Sequence, residues 1–130
     1  MLRGMAAIMS AHKARSHYHR VTFALAGLRH AWQAERGVRL HLLAVLVVAG
    51  VLAWLRPPAE WWALAALACA LVIAAELLNT AVEALADHLH PERDPAIAIV
   101  KDCAAAGVLI ASLGALAVAG AFVIWWWTNR

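Results

Sequence analysis

Four acidic or amide side chains, Glu76, Asn79, Glu83 and Asp87, interrupt the apolar run of AELLNTAVEALAD. Spaced by three, four and four residues, they fall on one face of a helix. The residues before them, Trp61 to Ala75, are apolar throughout. A charged side chain facing lipid at mid-helix costs about 2.5–3.5 kcal/mol or more. The stripe is therefore expected to face a protein interior, a polar cavity or a bound cation, and groups so placed are functional candidates.

The chemistry these residue types support is phosphoryl transfer. Two glutamates, Glu35 and Glu83, could bind Mg²⁺, which takes oxygen ligands and typically uses one or two carboxylates plus substrate phosphates. Lys101 could neutralise phosphate charge, and Asp102 beside it could fix a ribose, a base or a lysine. Glu76, deeper along the helix, could meet the hydroxyl of a lipid and act as a general base. Asn79, one turn away, could orient it. Together the parts describe transfer from a soluble nucleotide to a membrane alcohol. The chain has no GxxxxGK[ST] sequence and no protein-kinase signature set, so a nucleotide site here must be of another kind. Spacing alone leaves a second reading open, because carboxylates at membrane depth also build proton pathways and ion sites.

The elements that must position these groups are helices in a membrane. The chain has 130 residues, 65% of them hydrophobic, with mean hydropathy +0.72. A soluble domain is nearer half apolar, and the length allows one domain. The expected fold class is all-α, with three transmembrane helices and an N-terminal amphipathic surface helix. The surface helix is expected at about 17–33, where Val21, Leu25, Leu28 and Trp32 recur at helical spacing and Arg20, Arg29, His30 and Gln33 fall mostly on other faces. That pattern suits the headgroup region. Spans are expected at about 38–55, 61–87 and 98–127. In the first, Arg39 and His41 can snorkel to extend a short apolar run, and Arg56-Pro57-Pro58 stops the helix. Trp61, Trp62 and Trp125 to Trp127 read as interface anchors. Small residues from Ala104 to Gly107, with Ser112, Gly114 and Gly120, read as close-packing positions in a helix bundle.

Seven cations, Arg3, Lys13, Arg15, Arg20, Arg29, Arg36 and Arg39, precede the long apolar run. By the positive-inside rule this arm is cytoplasmic, which puts the 88–97 loop inside and the C-terminus outside. Arg93 and Lys101 agree. Glu35, Glu83, Asp87, Lys101 and Asp102 then gather at the cytoplasmic interface, with Glu76 about 16 Å from Asp87 along the axis at 1.5 Å per residue. No aromatic–basic interleaving accompanies the arm, so nucleic acid is not an expected partner. Residues 1–16 are expected to be a flexible basic extension. Charged and histidine residues break up its apolar stretches, so a signal peptide is not expected. Cys69 and Cys103 lie in apolar helical sequence without metal-ligand spacing and read as packing residues. His88 and His90, in a loop with two prolines, read as solvated.

The stretch ELLNTAVEALAD (76–87) resembles the signature of the small prokaryotic diacylglycerol kinase family, which includes undecaprenol kinases: roughly ExxN[ST]AxExxxD. FALAGLRHAWQAER (23–36) and VKDCAAAGVLI (100–110) support it. The resemblance covers about His17 to Ile124, and four polar positions at fixed spacing in a membrane helix make it specific. It implies a homotrimer in the bacterial inner membrane, with active sites between subunits, and MgATP-dependent phosphorylation of a lipid alcohol, either diacylglycerol or undecaprenol. Carried onto this chain, it makes Glu76 the catalytic base that meets the lipid, with Asn79 its neighbour in the motif. Glu35 and Glu83 become the metal-binding glutamates. Lys101 and Asp102 become the nucleotide-contacting pair, and Arg29 and Trp32 the surface-helix positions near the entrance. Asp87 closes the motif. The family's N-terminal arginine has no match at Arg15 or Arg20 without a gap. The stretch ERGVRLH (35–41) and the 88–95 loop lean toward the undecaprenol kinase branch. The rival outside this family is a small ion or proton transporter. It would use Glu76 and Glu83 and leave Glu35 and the Lys101-Asp102 pair unexplained.

Overall fold

The computed structural model describes residues 17–92 and 94–129. The extension expected over residues 1–16 lies outside the described residues, as does Arg93. Four helices follow in order: α1 (His17–Ala34), α2 (Arg36–Leu55), α3 (Ala59–Leu89) and α4 (Pro95–Thr128). There is no strand among the described residues. Among the described residues one unit ends at Ala34 and another begins at Glu35, so α1 is taken by itself. It carries Val21, Phe23, Leu25 and Trp32 exposed, an apolar surface uncovered by protein, as a headgroup-level helix requires.

In the second unit, α2, α3 and α4 are each long and apolar enough to cross a membrane. The helix ends follow from local chemistry. α2 stops at Arg56, whose N–H makes the last helical bond, to the Leu52 carbonyl at 2.8 Å, and whose left-handed backbone (φ 51°, ψ 51°) then turns the chain away. Pro57 and Pro58 cannot continue the ladder. α4 starts at Asp94, whose Oδ1 accepts the Ala96 N–H at 2.7 Å, with Pro95 filling the first helical position. Both are standard helix-start devices. At 1.5 Å per residue, α3 and α4 run about 45–50 Å, well beyond a hydrocarbon core of about 30 Å. Their joined ends therefore have room to stand in the headgroup region.

α3 packs along both α2 and α4. Its buried positions are Val72, Glu76, Thr80 and Ala86; Val38 and Leu52 are buried on α2 and Ala111 on α4. Most of the remaining surface of the spans is uncovered apolar side chain, such as Leu46, Leu67 and Ile110, the composition expected of a lipid-facing exterior. Gly107, Gly114 and Gly120 are not close-packed inside the chain: a Cβ at any of them would meet nothing within 4 Å. Close packing there needs a surface that the described residues do not supply. Cys103 is likewise exposed and Cys69 half-buried, both as free thiols.

Candidate functional site

The polar stripe of α3 faces its neighbours, as its cost in lipid demanded. Glu76 is 8% exposed. Its Oε1 lies 2.9 Å from His41 Nδ1 on α2. The same nitrogen lies 3.0 Å from the Gly37 carbonyl, one turn back on α2. Gly37 itself abuts the carboxylate: a Cβ there would sit 2.8 Å from Oε1 and 3.0 Å from Oε2. Glycine is a poor helix former, and at this position it leaves room for the carboxylate that a Cβ would crowd, so that the Glu76 head would have to shift. Thr80, also buried, gives its hydroxyl proton to the Glu76 carbonyl at 2.9 Å. It thereby bonds within its own helix and not across the bundle.

Asn79 departs from the role expected for it. Its Nδ2 donates to Glu83 Oε1 at 3.0 Å, not to Glu76. The reason is geometric. Residues four apart on a helix meet directly, whereas the Glu76 side chain is drawn across to α2. Asn79 Oδ1 is buried and has no hydrogen-bond partner, an unmet acceptor beside the half-buried Glu83 carboxylate. Glu35 sits at the N-cap of α2 without a side-chain capping bond, two residues before Gly37. Its carboxylate is thus uncommitted among the described residues, at the Glu76 end of the bundle.

Lys101, on the first turns of α4, reaches back to Asp87 on α3, Nζ to Oδ1 at 2.7 Å, and Glu83 adds a longer-range attraction. Asp87 therefore does more than end α3; it tethers the Lys101 head. The two side chains are 34% and 68% exposed, so the pair orients charge and contributes little to stability. Asp102 is exposed. A second concavity of about 430 Å³ adjoins the pair, lined by Asp87, His90, Glu92, Asp94 and Lys101 among others. His88 and His90 are exposed, as expected of solvated residues.

No three or more His, Cys, Asp or Glu side chains converge on a metal position among the described residues. What the site offers is hard oxygen: the Glu83 carboxylate and the orphaned Asn79 Oδ1 one turn apart, with Glu35 free on α2. That donor set fits Mg²⁺, which leaves much of its shell to water and phosphate, and does not fit a closed all-protein metal cage. Arg29 and Trp32 belong to α1, in the other unit.

Gly37 and His41 are the functional-site residues that sequence reasoning missed. His41 was expected to snorkel; in the structure its half-buried ring faces α3 and bonds Glu76. The available signal was their i, i+4 spacing, which stacks a bare Cα and a ring nitrogen on one face of the helix that follows Glu35.

Fold and site together define a multi-pass, all-helical membrane protein with a carboxylate-centred site between spans. Residues 22–123 match the family model described as prokaryotic diacylglycerol kinase, and the chain belongs to that family. It is 35% identical over 103 residues to a diacylglycerol kinase of Synechocystis sp., a match covering 78% of this chain and 59% of that protein. It is 36% identical over 90 residues to a diacylglycerol kinase of Escherichia coli K12, covering 69% of this chain and 74% of that one. The match thus spans less than two thirds of the length of the Synechocystis relative.

Proposed function

We propose that the protein is a lipid kinase that transfers the γ-phosphate of MgATP to the hydroxyl of a membrane alcohol, either diacylglycerol or undecaprenol. The observation that carries this reading is the buried Glu76 carboxylate, held against α2 in a membrane span, with the Asn79–Glu83 pair one and two turns beyond it and Lys101 near the headgroup end. Membership of the diacylglycerol kinase family supports it. In this reading Glu76 accepts the proton of the lipid hydroxyl as the oxygen attacks the γ-phosphorus and the bond to ADP breaks. Lys101 stabilises charge on the transferred group, and Asp102 binds the nucleotide. Glu35 and Glu83 would hold Mg²⁺, which screens phosphate charge when bound. Asn79 holds Glu83 in place for it. Arg29 and Trp32 on α1 guide the lipid at the entrance.

In this reading the Glu76 end lies at the cytoplasmic face of the bacterial inner membrane, where nucleotide is available, and the C-terminus outside; the basic character of the N-terminal arm supports it. We further propose a homotrimer. The uncovered span surfaces and the open space beside Gly107, Gly114 and Gly120 suit helix contacts with other copies. The test is transfer of labelled γ-phosphate from MgATP by purified protein in mixed micelles, with diacylglycerol and undecaprenol offered separately. Labelled phosphatidic acid or undecaprenyl phosphate supports the reading and names the lipid. No labelled lipid from folded protein, with carboxylate-dependent ion flux in liposomes, would replace it with the transporter.

A further inference from the structure

We propose that His41 is a positioning residue for Glu76, holding the carboxylate through its Nδ1 proton in a notch that Gly37 leaves open. The inference rests on the reading of Glu76 as the base. Two acceptors share one ring nitrogen: Glu76 Oε1 at 2.9 Å and the Gly37 carbonyl at 3.0 Å. A carbonyl oxygen has no proton to give, so Nδ1 must be the donor, whether the ring is neutral or cationic. The tautomer is thereby set by the α2 backbone. The proton that Gly37 fixes on Nδ1 is the one that also reaches Glu76.

The consequence for Glu76 is directional. A glutamate on a helix has three side-chain torsions, and a base must present one lone pair at a defined place. Among the described residues no other polar side chain bonds this carboxylate. The His41 bond at Oε1 fixes the plane of the carboxylate and so the direction in which its remaining lone pairs are presented to a substrate hydroxyl. The Gly37 notch is the second half of the device. With no Cβ, α2 lets the carboxylate lie against its backbone; a methyl group would press on both oxygens, at 2.8 and 3.0 Å. Orientation by a partner hydrogen bond, with the partner itself fixed by a backbone carbonyl, is how second-layer groups commonly set a reactive side chain.

The experiment compares wild type, His41→Ala, His41→Asn and Gly37→Ala as purified full-length proteins in mixed micelles with MgATP and whichever lipid alcohol is phosphorylated. Asparagine places an amide N–H near the former Nδ1 and cannot carry charge. His41→Ala is expected to lower kcat by about 10²-fold, the scale of a small misplacement of a reacting group, with KM for MgATP little changed. His41→Asn should recover most of that loss. Gly37→Ala should lower kcat while leaving every ionisable group in place. In ¹⁵N spectra of histidine-labelled protein, the ring signal that His41→Asn removes should be that of a protonated Nδ1, and it should shift in Glu76→Gln. Wild-type kcat in His41→Ala would overturn the role. So would a loss confined to KM for MgATP, or an asparagine variant no better than alanine. If His41→Ala does not fold, Gly37→Ala and the ring-nitrogen signal still decide the matter. A folded wild type that transfers no phosphate overturns the kinase reading and this role with it; normal transfer with an indifferent His41 overturns the role alone.

Discussion

The two ends of the three-helix unit are held together by different means. At the Glu76 end, polar pairs cross between helices or brace one: His41 to Glu76, Asn79 to Glu83 and Lys101 to Asp87. At the other end an apolar cleft of about 470 Å³ opens between all three helices, lined by residues such as Val51, Leu55, Trp61, Ala65, Phe122 and Trp126. Its walls are held by ring packing. Trp61 lies edge-on to Phe122, with centroids 5.3 Å apart, and 5.6 Å from Trp125. Dispersion and apolar burial tolerate sliding by a fraction of an ångström, whereas a hydrogen bond in a low-dielectric setting does not. The polar end is therefore where atoms have assigned places, and at the aromatic end ring packing joins α3 to α4 beside the open cleft.

That contrast can be broken in order of severity. Glu76→Gln should cut turnover by about 10²–10⁴-fold, the usual share of a general base, while MgATP binding survives; ligand-binding and initial-rate measurements on the same preparation separate the two. Wild-type turnover would remove Glu76 from the base role. Next, Glu83→Gln should weaken MgATP binding, and Asn79→Ala, which strips the hydrogen bond from Glu83, should cost about 10–100-fold in affinity for the metal–nucleotide complex, the usual scale for a group supporting a metal ligand. A titration of activity against Mg²⁺ at fixed ATP checks both. An unchanged metal requirement in each would move the cation elsewhere.

At the aromatic end, Trp61→Ala should lower stability by about 1–3 kcal/mol through lost ring contacts and burial, and leave kcat/KM near wild type. Thermal unfolding in detergent set beside kinetics tests this, and a selective loss of kcat would show that the cleft belongs to the site. The smallest effect is expected of Asp87→Asn: a change of less than about fivefold in KM for MgATP, because an exposed ion pair only orients its lysine. A larger change would promote Asp87 from tether to ligand.

Much of the fold was legible before any coordinates. The spans expected at 38–55, 61–87 and 98–127 correspond to helices over Arg36–Leu55, Ala59–Leu89 and Pro95–Thr128, because apolar length, tryptophans and prolines are local signals. Arg56-Pro57-Pro58 ends α2 as its chemistry requires. The stripe at Glu76, Asn79 and Glu83 was legible for the same reason, since helical spacing alone puts its members on one face. Partner choice was not legible. Asn79 was expected to serve Glu76 and serves Glu83. His41 was expected among the headgroups and lies on Glu76. Trp125 to Trp127 were expected as one belt, but successive helical residues diverge by about 100°. Trp125 turns to Trp61, whereas Trp126 and the more exposed Trp127 both line the cleft.

By itself, then, the sequence determined that this is a helical membrane protein with a carboxylate stripe that lipid cannot accept, and its motif was specific enough to mark the family. Those properties depend on composition and on the 3.6-residue turn, which every helix shares. Only the tertiary structure decided which atoms meet across helices: Nδ1 of His41 with Oε1 of Glu76, the vacant Cβ position of Gly37 under the carboxylate, and Lys101 with Asp87. These contacts depend on how far α2 and α4 are rotated and shifted against α3. Side-chain packing over the whole interface sets that rotation and shift, and no local stretch of sequence encodes it.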